Sequence, residues 1–218
     1  MSRNTIKNVL KRNGLPPAPQ RPSEGISWQT CLSHYQEQLL AGDFFTVEII
    51  RLKTIYVLFF IELASRRVHV AGCTAQPDSD WVTQQARQIM WRLEPRTASI
   101  RYLIHDRDGK FSAAFDTVFA SEGIVIILTP YQAPNANAYA ERWIRSVREE
   151  CLDQLLILNE THLRQVKEEY TAYYNSSRPQ QGLKQYAPVS LDPPDTTKPI
   201  RYRKGLGGII HDYYRAAA

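Results

Sequence analysis

Between Asp43 and Thr74 the chain passes through three stretches of β-branched, aromatic and aliphatic residues with only short polar breaks, and few architectures other than a sheet accept such a segment. The stretches hold Phe44, Phe45, Val47, Ile49 and Ile50, then residues 55–63, then Val68 and Val70; the breaks are residues 51–54 and 65–67. Side chains of these types favour a pleated backbone. Three sequential strands joined as a meander are therefore expected, with Asp43 opening the first. The longest unbroken apolar run, residues 55–61, falls far short of the roughly 20 residues that a membrane-spanning helix needs, so no span is expected.

Helical periodicity takes over after the meander. Asp78 or Ser79 can cap a helix carrying Trp81, Val82, Ala86, Ile89, Met90 and Leu93 at three-to-four spacing, with Pro95 as its stop. A fourth strand at residues 100–104 follows. Ser112 then caps a short helix with Phe115, Val118 and Phe119 inward and Gly123 at its end, and residues 124–128 form a fully apolar fifth strand. After the loop 129–137 a long helix presents Ile144, Val147, Cys151 and Leu155, and another from Thr161 presents Leu163, Val166, Tyr170 and Tyr173. The order is β-β-β-α-β-α-β-α-α.

On this reading residues 26–192 are one catalytic-sized α/β domain, flanked by two unlike ends. Residues 2–14 read as a single helix on which Arg3, Lys7 and Lys11 recur every four residues. Pro16, Pro17, Pro19 and Pro22 make the rest of residues 1–25 a stiff linker. Residues 193–218 are a basic tail with a turn expected at 209–214. Net charge is +5, yet the first 25 and the last 23 residues each carry five basic side chains against one acid, which leaves an acidic middle. Basic arms around an acidic centre suit a protein that grips nucleic acid at its ends and concentrates carboxylates between them. Cys31, Cys73 and Cys151 are odd in number and widely spaced, so buried free thiols are expected rather than a disulfide framework or a zinc site. The N-terminus lacks a secretory pattern, and a cytoplasmic, DNA-associated protein is expected.

Three acids stand where a mixed α/β sheet assembles a site: Asp43 on the first strand, Asp106 just past the fourth, and Glu141 early on the helix after the fifth. The pattern resembles the integrase catalytic core of the Asp-Asp-Glu transposases of bacterial insertion sequences and of retroviral integrases. Gly42-Asp43-Phe44-Phe45-Thr46-Val47-Glu48, Ile104-His105-Asp106-Arg107-Asp108-Gly109-Lys110-Phe111, Asn137-Ala138-Tyr139-Ala140-Glu141-Arg142-Trp143 and Tyr174-Asn175-Ser176-Ser177-Arg178-Pro179 carry it. The last two acids lie 141 − 106 = 35 positions apart, close to the spacing that names the family. Two departures stand out. Asp106-Arg107-Asp108 replaces the usual Asp-Asn-Gly, and Phe111, five places on, selects Asp106 with Asp108 as the alternative. The loop Pro134-Asn135-Ala136-Asn137 replaces a glycine-containing one.

The resemblance implies a ribonuclease H-like α/β fold: a central five-stranded mixed sheet, made of a three-strand antiparallel meander plus two parallel strands, flanked by helices. It implies metal-dependent cleavage of DNA and strand transfer by in-line phosphodiester attack. Asp43, Asp106 and Glu141 would hold two Mg²⁺ or Mn²⁺ ions with Asp43 bridging, because hard dications prefer carboxylate oxygen and stabilise both attacking and leaving oxygens. The implied partner is double-stranded DNA, as transposon ends and target, with a homo-oligomer in the synaptic complex. Arg142, Arg145 and Arg148 beside Glu141, and Lys7 and Lys11 on the N-terminal helix, are the expected DNA contacts. That helix resembles the last helix of a helix-turn-helix. Because only one helix is present, the alternative is a truncated, catalytically silent relic that binds DNA as a competitor or regulator of the full-length enzyme. The histidines show no ligand spacing, and His105 is expected to be structural. Trp28, Trp81, Trp91 and Trp143 are expected in the core, and Arg178-Pro179 is expected to pack the end of it.

Overall fold

The computed structural model describes residues 3–14, 28–50, 52–97, 99–129, 137–189 and 197–215. The loop residues 130–136 and the proline-rich linker 15–25 lie outside these. The chain divides into two compact units, Met1–His34 and Tyr35–Ala218. The first contains helices α1 (Arg3–Arg12) and most of α2 (Trp28–Tyr35).

The second unit is built on strands β1 (Leu39–Ile49), β2 (Lys53–Glu62), β3 (Val68–Thr74), β4 (Tyr102–His105) and β5 (Val125–Leu128). They form one five-stranded sheet in the order β3-β2-β1-β4-β5. The β1–β2 and β2–β3 pairs are antiparallel, and β1–β4 and β4–β5 are parallel. The expected mixed sheet of a meander plus two parallel strands is thus present. Helices α3 (Ser79–Thr97), α4 (Ala113–Ser121), α5 (Ala138–Glu150) and α6 (Glu160–Ser176) accompany it.

Strand β2 explains its own unbroken hydrophobicity. It lies between β3 and β1 with both faces buried, so neither face of its pleat can be polar. Leu58 and Phe60 join Leu40, Leu103, Phe115, Phe119 and the inner stripe of α3 in one layer. Phe59, facing the other way, meets Phe45 and Trp143 of α5, with the Phe59 and Trp143 rings 4.2 Å apart.

Beyond the sheet, the caps follow the chemistry of the sequence. The Ser112 hydroxyl accepts the Phe115 N–H, and Asn159 accepts the His162 N–H at the start of α6. Gly123, at φ +77°, turns the chain from α4 into β5. The outer edge of β3 is covered by Asn175, whose amide exchanges both hydrogen bonds with the Val68 backbone at 2.9 and 2.8 Å. Arg178 grips Glu150 at the end of α5, with Nε at 2.8 Å, and Tyr170 donates to the same carboxylate at 2.9 Å. The Tyr174-to-Pro179 motif is therefore a clamp joining α6, β3 and α5. All three cysteines are free, with Cys73 and Cys151 buried.

Several expectations are corrected. Strand β1 begins at Leu39, because Leu39 pairs with β4 and Leu40 and Ala41 with β2 and β4 simultaneously, so Asp43 lies inside the strand rather than opening it. Helix α3 runs through Pro95 to Thr97; a proline forfeits one backbone donor, which the last turn of a long helix survives. Helix α5 turns Ala140, Trp143 and Val147 inward and stops at Glu150, before Cys151, while α6 buries Tyr174 in place of Tyr173. Trp91 is 79% exposed and lines a groove of about 800 Å³ with Arg87, Met90 and Val118. Strand β5 is an edge strand with Val125 and Leu128 exposed. The C-terminal segment forms an antiparallel hairpin of β6 (Ile200–Gly205) and β7 (Ile210–Arg215) where only a turn was expected.

Candidate active site

The alternation of β1 determines what Asp43 faces. Leu40, Gly42 and Phe44 point toward the α3–α4 layer: Leu40 and Phe44 pack in it, and a Cβ on Gly42 would stand 3.0 Å from the Phe60 ring. Asp43 and Phe45 point the other way, and Phe45 lies 5.5 Å from Trp143 of α5. Trp143 is two residues beyond Glu141, so the same helix turn that packs on β1 carries the glutamate.

Strand β4 adds the second acid by the same logic. Its parallel register with β1 runs from Leu39↔Tyr102 to Ala41↔Ile104, so Asp43 and Asp106 each lie two residues past the last pair, toward the same end of the two strands. His105 turns inward and is 1% exposed; its Nδ1 lies 2.6 Å from the Asp106 carbonyl oxygen and its Nε2 3.0 Å from Asp116. Phe111 packs on His105 at 4.5 Å and on Phe44 at 5.2 Å, which pins the turn 106–111 to the sheet. His105 is thus the hydrogen-bonded structural residue expected.

At the centre, Asp43 accepts the Phe44 N–H at 2.7 Å and the Asn137 side-chain amide at 3.2 Å. Burial, opposed by the Phe44 hydrogen bond and reinforced by the negative charges of Asp106, Glu141 and Asp108, raises its carboxyl pKa to about 7. Asp106 accepts the Asp108 N–H at 3.0 Å. Asp108 is already committed, pairing with the Lys110 ammonium and accepting the Lys110 N–H at 3.0 Å. Although burial alone would push its pKa up, Lys110 outweighs it and holds the carboxyl low. Of the two aspartates, Asp106 is the one without a cationic partner among the described contacts.

Glu141 stands exposed in the first turn of α5. Asn137, the residue before that helix, makes no capping bond with its side chain and spends it on Asp43 instead. Asn137 was not singled out as a functional residue from the sequence; its place at the helix start was the available signal. Arg66 is a second such residue: its guanidinium lies 3.7 Å over the Tyr139 ring, beside the same helix turn. Arg142 and Arg145 are exposed, whereas Arg148 is half-buried and donates to the Thr46 carbonyl at 2.7 Å, tying α5 to β1. Lys7 and Lys11 lie on α1 in the other unit, where Lys11 is exposed.

Asp106, Glu141 and Asp108 thus all lie within electrostatic reach of Asp43. Among the described residues no three His, Cys, Asp or Glu side chains come together at spacings that hold a metal ion. The donor set nevertheless fits a hard dication in kind, being all carboxylate oxygen around a partly buried Asp43 whose ionisation is disfavoured by burial first and then by its acidic neighbours.

A five-stranded sheet in this order, an antiparallel meander continued by two parallel strands and accompanied by helices, is a ribonuclease H-like fold. Comparison with known proteins agrees. Residues 122–188 match the family model described as integrase core domain. The chain is similar to the HTLV-2 integrase catalytic core domain solved with magnesium in a dimeric form, with 15% identity, 67% of this chain and 91% of that chain covered, and a TM-score of 0.53. It is similar to the catalytic domain of Mos1 mariner transposase at 11% identity, with 72% and 85% covered and a TM-score of 0.55. The catalytic core of BIV integrase aligns at 17% identity over 70% and 91%, with a TM-score of 0.50. A search of curated protein sequences finds no match. The resemblance read from the sequence thus holds for the fold and, over residues 122–188, for the integrase core domain. No described helix is long and apolar enough to cross a membrane.

Proposed function

We propose that this chain is the catalytic core of a DNA transposase or integrase, which cleaves DNA and transfers strands using Asp43, Asp106 and Glu141. The observation that supports the reading best is the partly buried Asp43, whose ionisation is disfavoured first by burial and then by the charges of Asp106 and Glu141 within reach of it. Asp43 and Asp106 would hold one Mg²⁺ or Mn²⁺ ion, and Asp43 and Glu141 a second. Bound there, such ions polarise a phosphodiester and stabilise charge on the attacking and leaving oxygens.

The protein's own side chains supply positioning. Asn137 orients the Asp43 carboxylate, the packing of Trp143 on Phe45 and Phe59 orients the turn that bears Glu141, and Lys110 neutralises Asp108. Arg142 and Arg145, exposed on α5, and Lys7 and Lys11 on α1 are proposed to hold DNA phosphates. Arg148 contributes through its hydrogen bond to β1 and the donors that bond leaves over. Double-stranded DNA is the proposed substrate, and a homo-oligomer the proposed working form on paired ends.

The test is incubation of labelled duplexes, taken from DNA flanking the coding sequence, with the protein and Mg²⁺ or Mn²⁺. Nicking and joining are expected from the native chain and not from Glu141→Gln. Inactivity of both proteins on every duplex would favour the catalytically silent relic instead.

A further inference from the structure

The β6–β7 ribbon has two faces of different kinds. Cross-strand partners in an antiparallel pair point to the same side. The register Ile200↔Arg215, Tyr202↔Tyr213 and Lys204↔His211 therefore defines one face, and Arg201↔Tyr214, Arg203↔Asp212 and Gly205↔Ile210 the other. The second face is anchored. Ile210 and Asp212 are buried, Asp212 accepts the Ser177 hydroxyl at 3.0 Å and Arg203 Nε at 2.7 Å, and the adjoining Leu206 N–H donates to Glu169 of α6 at 2.6 Å.

The first face meets solvent. Tyr202 is 57% and Tyr213 68% exposed, with their rings 6.1 Å apart, and His211 packs 5.9 Å from Tyr202. Lys204 is exposed, and Arg215 donates to the Lys198 carbonyl at 2.6 Å. This face carries no carboxylate, because the ribbon's acid, Asp212, is buried on the anchored side. Clustered aromatic rings on a cationic surface without acids complement a ligand that offers flat π-faces and negative charge together. An unpaired nucleic-acid strand does so, through bases that stack on the rings and phosphates that meet Lys204 and Arg215. A duplex hides the faces of its bases and offers only phosphate.

We propose that the outward face of the β6–β7 ribbon binds single-stranded or frayed DNA, stacking its bases on Tyr202 and Tyr213. The choice of DNA as occupant rests on the functional reading above; the ribbon's chemistry does not involve the carboxylates. The test uses the full chain in EDTA, where binding is read independently of cleavage, by fluorescence anisotropy of a labelled single strand and of the blunt duplex of the same sequence.

The pair Tyr202→Ala and Tyr213→Ala should weaken single-strand binding by about tenfold or more, and duplex binding less, with an unchanged melting temperature. Phenylalanine at both positions should retain binding, and Lys204→Ala should lower its salt dependence. Unchanged single-strand affinity in the double alanine variant overturns the proposal. So does equal binding of poly-glutamate that depends on Lys204 and not on the tyrosines, which would point to an acidic protein surface. Failure of the ribbon leaves the cleavage assay standing. Tyrosine-dependent binding without any nicking would sink only the active-site reading.

Discussion

Replacing Asp43 by asparagine should make the metal-free protein more stable above neutral pH, an unusual outcome for a partly buried, hydrogen-bonded residue. The side chain keeps its shape: the new amide oxygen can accept the Phe44 N–H, and the Asn137 amide can turn over to pair with the new NH₂. What disappears is a carboxyl whose pKa rises from an ordinary 3.8 to about 7, through burial first and then through Asp106, Glu141 and Asp108. Because the folded state holds this proton more tightly than the unfolded chain, the native state is favoured by it at low pH. Stability then falls as pH rises from about 4, and the loss is complete above about 7. A shift of about three units corresponds to on the order of 4 kcal/mol at pH 8.5. Some of that loss has already occurred at pH 5, so wild type should lose about 3 kcal/mol relative to Asp43→Asn between pH 5 and 8.5. Urea unfolding of both proteins in EDTA at the two pH values reads this directly. Saturating Mg²⁺ at pH 8.5 should restore stability to wild type and leave the variant unmoved. Parallel pH profiles for the two proteins would refute the reasoning, since they would mean that no crowded carboxylate centre disfavours ionisation of Asp43.

Arg178→Met should lower stability by about 1–3 kcal/mol, because Glu150 would stay half-buried with Tyr170 as its remaining partner from the clamp. In thermal unfolding that is a melting temperature lower by several degrees, largely recovered when Glu150→Gln is added. Gly72→Ala should cost about 1–3 kcal/mol in chemical denaturation, since the added Cβ would sit 2.5 Å from Gln85 Oε1 and 3.0 Å from the Trp81 ring, forcing β3 and α3 apart.

Much of the fold is legible in the sequence. The run 55–61 is apolar at every position because β2 is buried on both faces, and Ser112 and Gly123 stand at the helix ends that their chemistry dictates. The spacing of Asp106 and Glu141 survives because it counts the residues needed for α4, β5 and the following loop. Local pattern failed where long-range pairing decides. Trp28, Cys31, Leu32, Tyr35 and Leu39 stand at helical spacing and predict a helix over 27–40, yet β4 pairs with Leu39, and β2 and β4 together hold Leu40 in the sheet. Trp91 is as apolar as Trp143, and only the orientation of α3 leaves it in solvent. The tail looked shapeless because its hairpin is anchored by Ser177 and Glu169, more than 30 residues upstream.

The amino-acid sequence by itself determined the order of elements and which acids are candidates, since hydrophobic period and capping are local properties of the chain. Only the tertiary structure decided that the charges of Asp106, Glu141 and Asp108 reach a partly buried Asp43, that Lys110 pairs with Asp108, and that Asn137 reaches Asp43. Those outcomes depend on strand register and helix docking, which are settled by contacts between residues far apart in the chain.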